Sequence, residues 1–119
     1  MRILTTAGAY TAPAGSDGGA PNHYVEHLSV PDLSVGTYSI PAGGVDDQTP
    51  HTEDEIYVVT AGRARLVTSD GTADVGPGDV IFVPAGEEHR FVDIADDLAL
   101  LVVFAPAYKS RAASPTALA

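Results

Sequence analysis

Three side chains that could bind one divalent metal ion stand at two places in this sequence. His51 and Glu55 belong to the stretch TPHTEDE, directly before the apolar run IYVV, and His89 follows much later in PAGEEHRFVD. Side chains two residues apart share one face of a strand, so an extended segment would point His51 and Glu55 the same way. Imidazole nitrogens and carboxylate oxygens are ligands for divalent metals, and two ligands rarely suffice. We therefore expect His89 to complete a metal site with His51 and Glu55.

The elements that would carry these residues are short strands. Apolar runs separated by Gly, Pro and Asp turn residues predict seven strands, at residues 24–30, 34–40, 55–60, 63–68, 80–83, 90–94 and 98–104. The dipeptide Asp70-Gly71 predicts a hairpin between the fourth of these strands and the stretch TADV. No segment has the period of a long amphipathic helix. Many short strands at regular spacing predict an all-β sandwich or barrel.

The chain divides into three parts. Residues 1–22 are expected to form a flexible N-terminal arm, because most of residues 5–22 are small and few are large and apolar. The arm could be inert, could pack across a partner subunit or could cover the mouth of a pocket. Residues 23–106 hold all the predicted strands and form the barrel domain. Residues 107–119 return to small and polar types and are expected to be a frayed tail.

Length and charge exclude several classes of function. A chain of 119 residues suits one domain, and its net charge of -10 disfavours nucleic acid and anionic membrane surfaces as partners. The sequence has no cysteine, so disulfides and thiolate metal sites are excluded. No apolar stretch approaches the roughly 20 residues of a membrane helix, and the N-terminal apolar segment is too short for a secretory signal. These features predict a cytoplasmic protein.

Residues 44–93 resemble the two sequence motifs of the cupin superfamily. The first motif contains a glycine, the pattern His-x-His, a glutamate and a closing glycine. In this sequence Gly44 opens the motif, Thr49 stands at the first histidine position, and the three later positions are His51, Glu55 and Gly62. The first histidine of the motif is therefore absent.

The second motif is a glycine, then Pro-x-Gly, a histidine and an asparagine. Gly78, Pro84, Gly86 and His89 match it in register, and Asp93 stands in place of the asparagine. The two motifs span about half of the chain, at the separation usual in a small single-domain cupin.

This resemblance implies a fold and a ligand set. The fold is a double-stranded β-helix, an antiparallel jelly-roll barrel with a divalent metal inside. The implied ligands are His51, Glu55 and His89, and a fourth could come from Gln48, Glu53 or His27. Two histidines and one carboxylate with open positions suit Fe(II) oxygen chemistry, which makes Fe(II) the favoured metal, although Zn, Mn or Ni would also fit.

Further residues are candidates for catalysis or substrate binding. Glu53 and His27 could act as general acid or base, although His27 also fits the description of a satisfied core histidine. Arg65 could orient a carboxylate or an enolate, or could form an ion pair with a neighbouring acid. The other candidates for the substrate pocket are polar or aromatic: Gln48, Tyr38, Tyr57, Phe82, Phe91 and Phe104. Most of the aromatic ones are also expected to be core residues.

We expect a metal-dependent cupin enzyme that acts on a small oxygen-bearing organic substrate, with a dioxygenase or other oxygenase as the first hypothesis. The alternatives are a redox-neutral isomerase, cyclase, decarboxylase or lyase, and a cupin that binds a small ligand without catalysis. Several strands are apolar on both faces, for example Ile56 and Val58 against Tyr57 and Val59. Because such a barrel can bury one sheet against a second copy, we also expect a two-fold symmetric homodimer.

Overall fold

The computed structural model describes residues 1–14 and 20–111, and the regular structure in this part of the chain is eight β-strands. They are β1 (His23–Val30), β2 (Leu33–Ile40), β3 (Asp54–Ala61), β4 (Ala64–Thr68), β5 (Gly71–Val75), β6 (Val80–Val83), β7 (His89–Val92) and β8 (Leu98–Ala105). All the strand pairings are antiparallel. The all-β prediction is confirmed. Within the described residues no helix is long and apolar enough to cross a membrane.

The strands form two sheets that pack as a jelly roll. The larger sheet has the order β1-β2-β8-β3-β6 and the smaller one the order β5-β4-β7. Tyr57 of β3 and Phe91 of β7 meet edge to face in the core, with their ring centroids 5.0 Å apart. The predicted strands begin and end within two residues of the observed ones. The expected hairpin at Asp70-Gly71 is also present, with Thr68 of β4 opposite Gly71 of β5.

Strand β3 carries the alternation that builds the site. Glu55, Tyr57 and Val59 are buried on its inner face, and Ile56 and Thr60 are exposed on the other. The strand begins only at Asp54, so residues 49–53 are a loop, and the extended segment assumed from the sequence is shorter than expected. His51 therefore reaches the interior from a loop, and its position depends on tertiary contacts.

The turn after β3 explains the closing glycine of the first motif. Gly62 has a φ of 84°, in the left-handed region that glycine adopts without strain. A Cβ atom at this position would overlap the carbonyl group of Asp97, just before β8. Any larger residue would separate the β3–β4 turn from the start of β8.

The segments before β1 and after β8 both contact the barrel. Backbone N–H groups of Gly8 and Thr11 donate hydrogen bonds to the hydroxyls of Thr37 and Ser39 in β2, 2.7 and 3.0 Å away. After β8, where a frayed tail was expected, Tyr108 stacks on Phe104 with their centroids 4.6 Å apart. Residues 15–19 of the arm and 112–119 of the tail lie outside the described residues.

One outer face of the larger sheet leaves apolar side chains exposed. On β6, Phe82 is 62 % exposed and Val80 is 67 % exposed. The homodimer expected from the sequence stays a prediction. Sedimentation velocity tests it by measuring the mass of the protein in solution.

Gly36 of β2 has a packing role that generates the first prediction. The ring of Tyr24 lies directly on Gly36, and a Cβ atom there would overlap the Tyr24 hydroxyl. We expect Gly36→Ala to lower the free energy of unfolding by about 1–3 kcal/mol through overpacking. Urea denaturation measures this cost. In the Gly36→Ala/Tyr24→Ala double variant the two costs should not add, because the clash disappears with the ring; fully additive costs would contradict the packing argument.

Candidate metal centre

Three of the predicted ligand side chains converge inside the barrel. Glu55 is near the start of β3, His89 is the first residue of β7, and His51 lies in the loop before β3. Glu55 Oε1 lies 3.1 Å from His89 Nε2 and 3.9 Å from His51 Nε2. All the ligand atoms of this group lie within 4.8 Å of one another, so one ion could contact all three side chains.

A fourth oxygen faces the same point. Gln48 Oε1 lies 3.0 Å from His51 Nε2 and 3.1 Å from His89 Nε2. Gln48 directly precedes Thr49, which stands at the missing histidine position of the first motif and is itself exposed. Ligands bound at about 2.0–2.2 Å and at right angles around a metal are about 3 Å apart, which is close to most of these separations.

The buried carboxylate of Asp46 determines which way the Gln48 amide points. Gln48 Nε2 donates to Asp46 Oδ2 over 2.6 Å, and the backbone N–H of Gln48 donates to Asp46 Oδ1 over 3.2 Å. An ionised carboxylate only accepts hydrogen bonds, so the NH₂ group of Gln48 must face Asp46. The amide oxygen is therefore the atom that faces His51 and His89.

The protonation of His89 is directed by the backbone. Its Nδ1 lies 2.9 Å from the carbonyl oxygen of Glu87, which can only accept a hydrogen bond. In the neutral ring the proton is thus on Nδ1, and the lone pair of Nε2 points toward Gln48 and Glu55. Such a bond to the outer ring nitrogen is the usual support of a metal-bound histidine.

The centre thus gathers acceptor atoms with few donors. Glu55 Oε1 is completely buried and has no hydrogen-bond partner. The hydroxyl of Tyr57 supplies one donor, 2.9 Å from Gln48 Oε1 and 3.0 Å from His89 Nε2. A buried acceptor without a partner costs free energy, and lone pairs that face one another repel. A divalent cation among these oxygens and nitrogens would remove both costs, so the residues present fit a metal.

The pKa shifts are consistent with this arrangement. Burial lowers the pKa of His51, and the Glu55 carboxylate only partly opposes the effect, so this ring favours its neutral form. Burial also acts to lower the pKa of His89, but contact with Glu55 and with the Glu87 carbonyl outweighs it and raises the pKa. Burial, followed by the charge of Glu55, raises the pKa of Tyr57, whose hydroxyl keeps its proton. The raised pKa of His89 means that the surroundings of this ring, Glu55 above all, stabilise positive charge.

A pocket of about 200 Å³ opens on the centre. Its aromatic lining residues are Tyr24, Tyr38, Tyr57, Phe104 and Tyr108, and its polar ones are Asn22, Asp47, Gln48, His51 and Glu55. The pocket has room for a small organic molecule.

A family model described as a cupin domain matches residues 36–104, more than half of the chain. The chain belongs to the cupin family. Both motifs of the cupin resemblance lie within the matched region, and so do the four residues around the centre.

Several known proteins are similar to this cupin in sequence or in fold. An uncharacterized protein of Streptomyces coelicolor is 45% identical over 83 residues, which cover 70% of this chain and 79% of that protein. The structure of KdgF from Halomonas sp. has a TM-score of 0.66 and 22% identity, covering 76% of this chain and 85% of that one. DMSP lyase DddQ from Ruegeria pomeroyi has a TM-score of 0.66 and 24% identity, covering 80% of this chain and 54% of that one. At these identities the two structures show a shared fold.

The cupin barrel brings most of the predicted pocket residues to the centre. The predicted residues that line the pocket, beside the metal-ligand candidates His51 and Glu55, are Gln48, Tyr38, Tyr57 and Phe104. The hydroxyl of Tyr38 donates to Asp46 Oδ1 over 2.8 Å, so this tyrosine supports the site through Asp46.

Three predicted substrate-binding residues lie elsewhere in this cupin. The Arg65 side chain is half exposed on the smaller sheet, where it pairs with Asp74 and Asp93 as the ion-pair interpretation anticipated. Phe82 is exposed on β6 because it is on the outer face of that strand. Phe91 is buried in the core against Tyr57 and does not line the pocket.

The two predicted acid–base residues are held by other contacts. Glu53 is buried, but its carboxylate accepts hydrogen bonds from the backbone N–H groups of Lys109 and Arg111, at 3.0 and 3.2 Å. His27 Nε2 lies 2.6 Å from the hydroxyl of Thr37, on the side of β2 that the arm covers. Among the three predicted sources of a fourth ligand, Gln48 is the one whose side-chain oxygen lies beside both His51 and His89.

Sequence reasoning missed two important residues. Asp46 precedes Gln48 by two positions, and a carboxylate so close to a candidate amide ligand was a usable signal. Tyr108 follows the last strand, in a segment whose composition predicted a tail, and no local pattern marks it. Its ring nevertheless packs against His51, with their centroids 5.5 Å apart.

The role of Asp46 generates a prediction on metal affinity. In Asp46→Asn one carboxylate oxygen becomes an NH₂ donor, so Gln48 loses the contact that turns its oxygen toward the two histidines. We expect this variant to bind Zn²⁺ about 10- to 100-fold more weakly than the unmodified protein, as measured by competition titration with a chelating dye. Asp47→Asn is the matched control and should bind Zn²⁺ as the unmodified protein does. Equal affinities for Asp46→Asn and the control, with both folded by circular dichroism, would contradict this role.

Proposed function

We propose that this cupin is a metal-dependent enzyme that acts on a small oxygen-bearing organic molecule in the aromatic pocket. The supporting observation is that the centre is built from lone pairs: Glu55 Oε1 is buried without a partner beside Gln48 Oε1 and the two imidazoles. His51, Glu55 and His89 would hold the metal, and Gln48 would replace the histidine absent at Thr49. Fe(II) is the first choice for this mixture of nitrogen and oxygen ligands, and Zn, Mn or Ni are the other candidates.

The first candidate reaction is oxygenation. When bound, the metal would supply a Lewis acid with open positions for a substrate oxygen and, in the case of Fe(II), for dioxygen. The protein side chains do the rest. The His51 ring contacts both rings of the stacked pair Phe104 and Tyr108 edge to face, with centroids 5.0 and 5.5 Å away, so its orientation is fixed by packing. The aromatic walls exclude water and orient the substrate against the centre.

A specific observation supports a second candidate, a redox-neutral reaction such as that of a lyase or isomerase. The Tyr57 hydroxyl is buried, keeps its proton and lies next to two of the proposed ligands. A protonated phenol at this place could deliver a proton to a substrate bound in the pocket. One structure of similar fold is a DMSP lyase, which is compatible with this second class.

Metal binding is the first prediction of the proposal. We expect the protein to bind one divalent ion per chain, and His51→Ala and His89→Ala to bind it more than about 100-fold more weakly, because each removes a ligand. Isothermal titration with Mn²⁺ or Zn²⁺ gives the affinity, and elemental analysis of fresh protein gives the resident metal. His23→Ala, at the start of β1 and outside the centre, is the control. Metal-free protein that also fails to take up added ions would contradict the proposal and favour a cupin without metal chemistry.

The choice between the two reaction classes has its own test. If the Fe(II)-loaded protein has an open position for dioxygen, nitric oxide should bind there and give the EPR signal of a high-spin iron nitrosyl. Loading the protein under argon and adding nitric oxide makes the measurement independent of the substrate. A sample that holds iron but shows no nitrosyl signal would rule out oxygenation and leave the redox-neutral reaction.

A further inference from the structure

The two histidines of the candidate centre are held in different ways. His89 Nδ1 lies 2.9 Å from the carbonyl oxygen of Glu87, and a bond of this kind is the usual support behind a metal-bound imidazole. His51 lacks it: within the described part of the chain its hydrogen-bonding nitrogen is Nε2, 3.0 Å from Gln48 Oε1, and Nδ1 has no partner. His51 also lies in a loop rather than in a strand. Its ring is therefore oriented by packing.

The two rings that pack edge to face on His51 have different supports. Phe104 is buried in β8, whereas Tyr108 lies beyond the last strand, in the C-terminal segment of residues 107–111. The two rings stack on each other with an interplanar angle of 17°. A side chain in an irregular segment keeps its place only where the backbone around it is attached. The contact between Tyr108 and His51 thus depends on what holds the C-terminal segment.

Glu53 attaches the C-terminal segment to the barrel. Its buried carboxylate accepts a hydrogen bond from the backbone N–H of Lys109 through Oε1, at 3.0 Å, and another from that of Arg111 through Oε2, at 3.2 Å. The backbone N–H of Tyr108 itself donates to the hydroxyl of Ser34 over 2.9 Å. Two of the backbone bonds that hold the segment therefore end on one carboxylate, two residues after His51 in the same loop.

Two features of this attachment carry a cost in free energy. A buried carboxylate is disfavoured unless donors surround it, and the third donor to Glu53 is the hydroxyl of Thr52. Lys109 has a φ of 64°, in the left-handed region, which a residue other than glycine adopts only where surrounding contacts impose it. The bonds from Lys109 and Arg111 to Glu53 are contacts of that kind. A buried charge and a strained residue are both explained if the position of Tyr108 matters.

We infer that Glu53 is a positioning residue for the metal ligand His51. Its carboxylate holds the C-terminal segment, the Tyr108 ring of that segment packs on His51, and this packing replaces the hydrogen bond that supports His89 from behind. The inference rests on the proposed function, in which His51 is a ligand. Glu53 acts through Tyr108, because both of its carboxylate oxygens are bonded to the C-terminal segment.

The variant Glu53→Gln tests the first step, the attachment. It keeps the shape of the side chain but turns one oxygen into an NH₂ group, which cannot accept a hydrogen bond from a backbone N–H. The N–H of Lys109 or of Arg111 then loses its acceptor, and we expect its hydrogen exchange in chelator-treated protein, followed by NMR, to become at least about tenfold faster. Asp54→Asn is the matched control, because Asp54 accepts the backbone N–H of Ala85 instead. It should leave both exchange rates unchanged.

The second step is the effect of the segment on His51. In chelator-treated protein the structure predicts nuclear Overhauser effects between the ring protons of His51 and those of Phe104 and Tyr108. We expect Glu53→Gln to weaken them, and Tyr108→Leu to weaken those between His51 and Phe104 in the same way. Tyr108→Phe is the conservative variant, which keeps the ring and should keep the effects. Tyr108→Leu also tests this step if Glu53→Gln does not fold.

Zn²⁺ affinity measures the consequence for the centre. Glu53→Gln and Tyr108→Leu should each bind Zn²⁺ about tenfold more weakly than the unmodified protein, in competition with a chelating dye. The double variant should bind it no more weakly than Tyr108→Leu, because both substitutions remove the same contact. Tyr108→Phe and Asp54→Asn should bind it as the unmodified protein does.

Three results would overturn the inference. The first is unchanged hydrogen exchange at residues 109 and 111 in Glu53→Gln. The second is a segment that exchange shows to be released while the contacts of His51 or the Zn²⁺ affinity stay the same. The third is an equal loss of the effects between Tyr57 and Phe91, which meet in the core, because Glu53→Gln would then loosen the whole barrel.

The same samples separate this inference from the proposed function. Hydrogen exchange and the ring contacts are measured on chelator-treated protein. They therefore decide whether Glu53 holds His51 even if the unmodified protein binds no metal, in which case the proposed enzyme fails. If the unmodified protein binds metal and Glu53→Gln changes neither the contacts of His51 nor the affinity, only the inference about Glu53 fails.

Discussion

The centre depends on the buried carboxylate of Asp46, which lies between the two sheets. It accepts hydrogen bonds from the Tyr38 hydroxyl in β2, from the backbone N–H of Phe91 in β7 at 2.9 Å, and from two N–H groups of Gln48. A buried carboxylate without a cation is tolerated only when it is well supplied with donors, and here four are present. One side chain therefore ties β2 to β7 and orients the amide of Gln48. The aspartate is thus part of the fold and part of the site at once.

The second constraint is the alternation of β3. Because side chains two apart share a face, Glu55 and Tyr57 enter the interior together, and Val59 continues that face into the apolar core. β3 pairs with β8 on one side and with β6 on the other, so it is an interior strand of the larger sheet. His89 then arrives from the smaller sheet. The centre takes side chains from both sheets, and these side chains are far apart in the chain. They come together only when the two sheets pack against each other.

The metal ligands and the pocket walls have different origins in the chain. The four candidate ligands lie within residues 36–104, the region that the cupin model matches. Asn22, Tyr24 and Tyr108 lie outside it and yet line the pocket. Asn22 donates to Asp47 Oδ1 over 2.8 Å, so the segment before β1 is attached to the loop that carries Gln48. The candidate ligands thus lie in the region that matches the cupin model, and the flanking segments of this chain form part of the pocket wall.

Much of this could be read from local patterns. Runs of β-branched residues and Gly, Pro and Asp turns located seven of the eight strands, and the Asp70-Gly71 turn indicated the eighth, β5. The spacing of the motif residues identified His51, Glu55 and His89 as a group. The locations of the aromatic side chains were harder to predict from the sequence. Hydrophobicity alone does not distinguish Phe104 in the pocket from Phe91 in the core or from Phe82 on the surface. Those three outcomes depend on which face of each strand turns inward.

The sequence by itself determined the β architecture through its periodicity and turn residues, and its resemblance to the two cupin motifs indicated the family and three of the four candidate ligands. Tertiary structure alone decided that Gln48 rather than Glu53 or His27 faces the centre. That choice follows from hydrogen bonds between distant residues: Asp46 turns the amide of Gln48, the backbone of residues 109 and 111 occupies Glu53, and Thr37 pairs with His27. Such partners come together only when the chain has folded, so no local pattern could have indicated them.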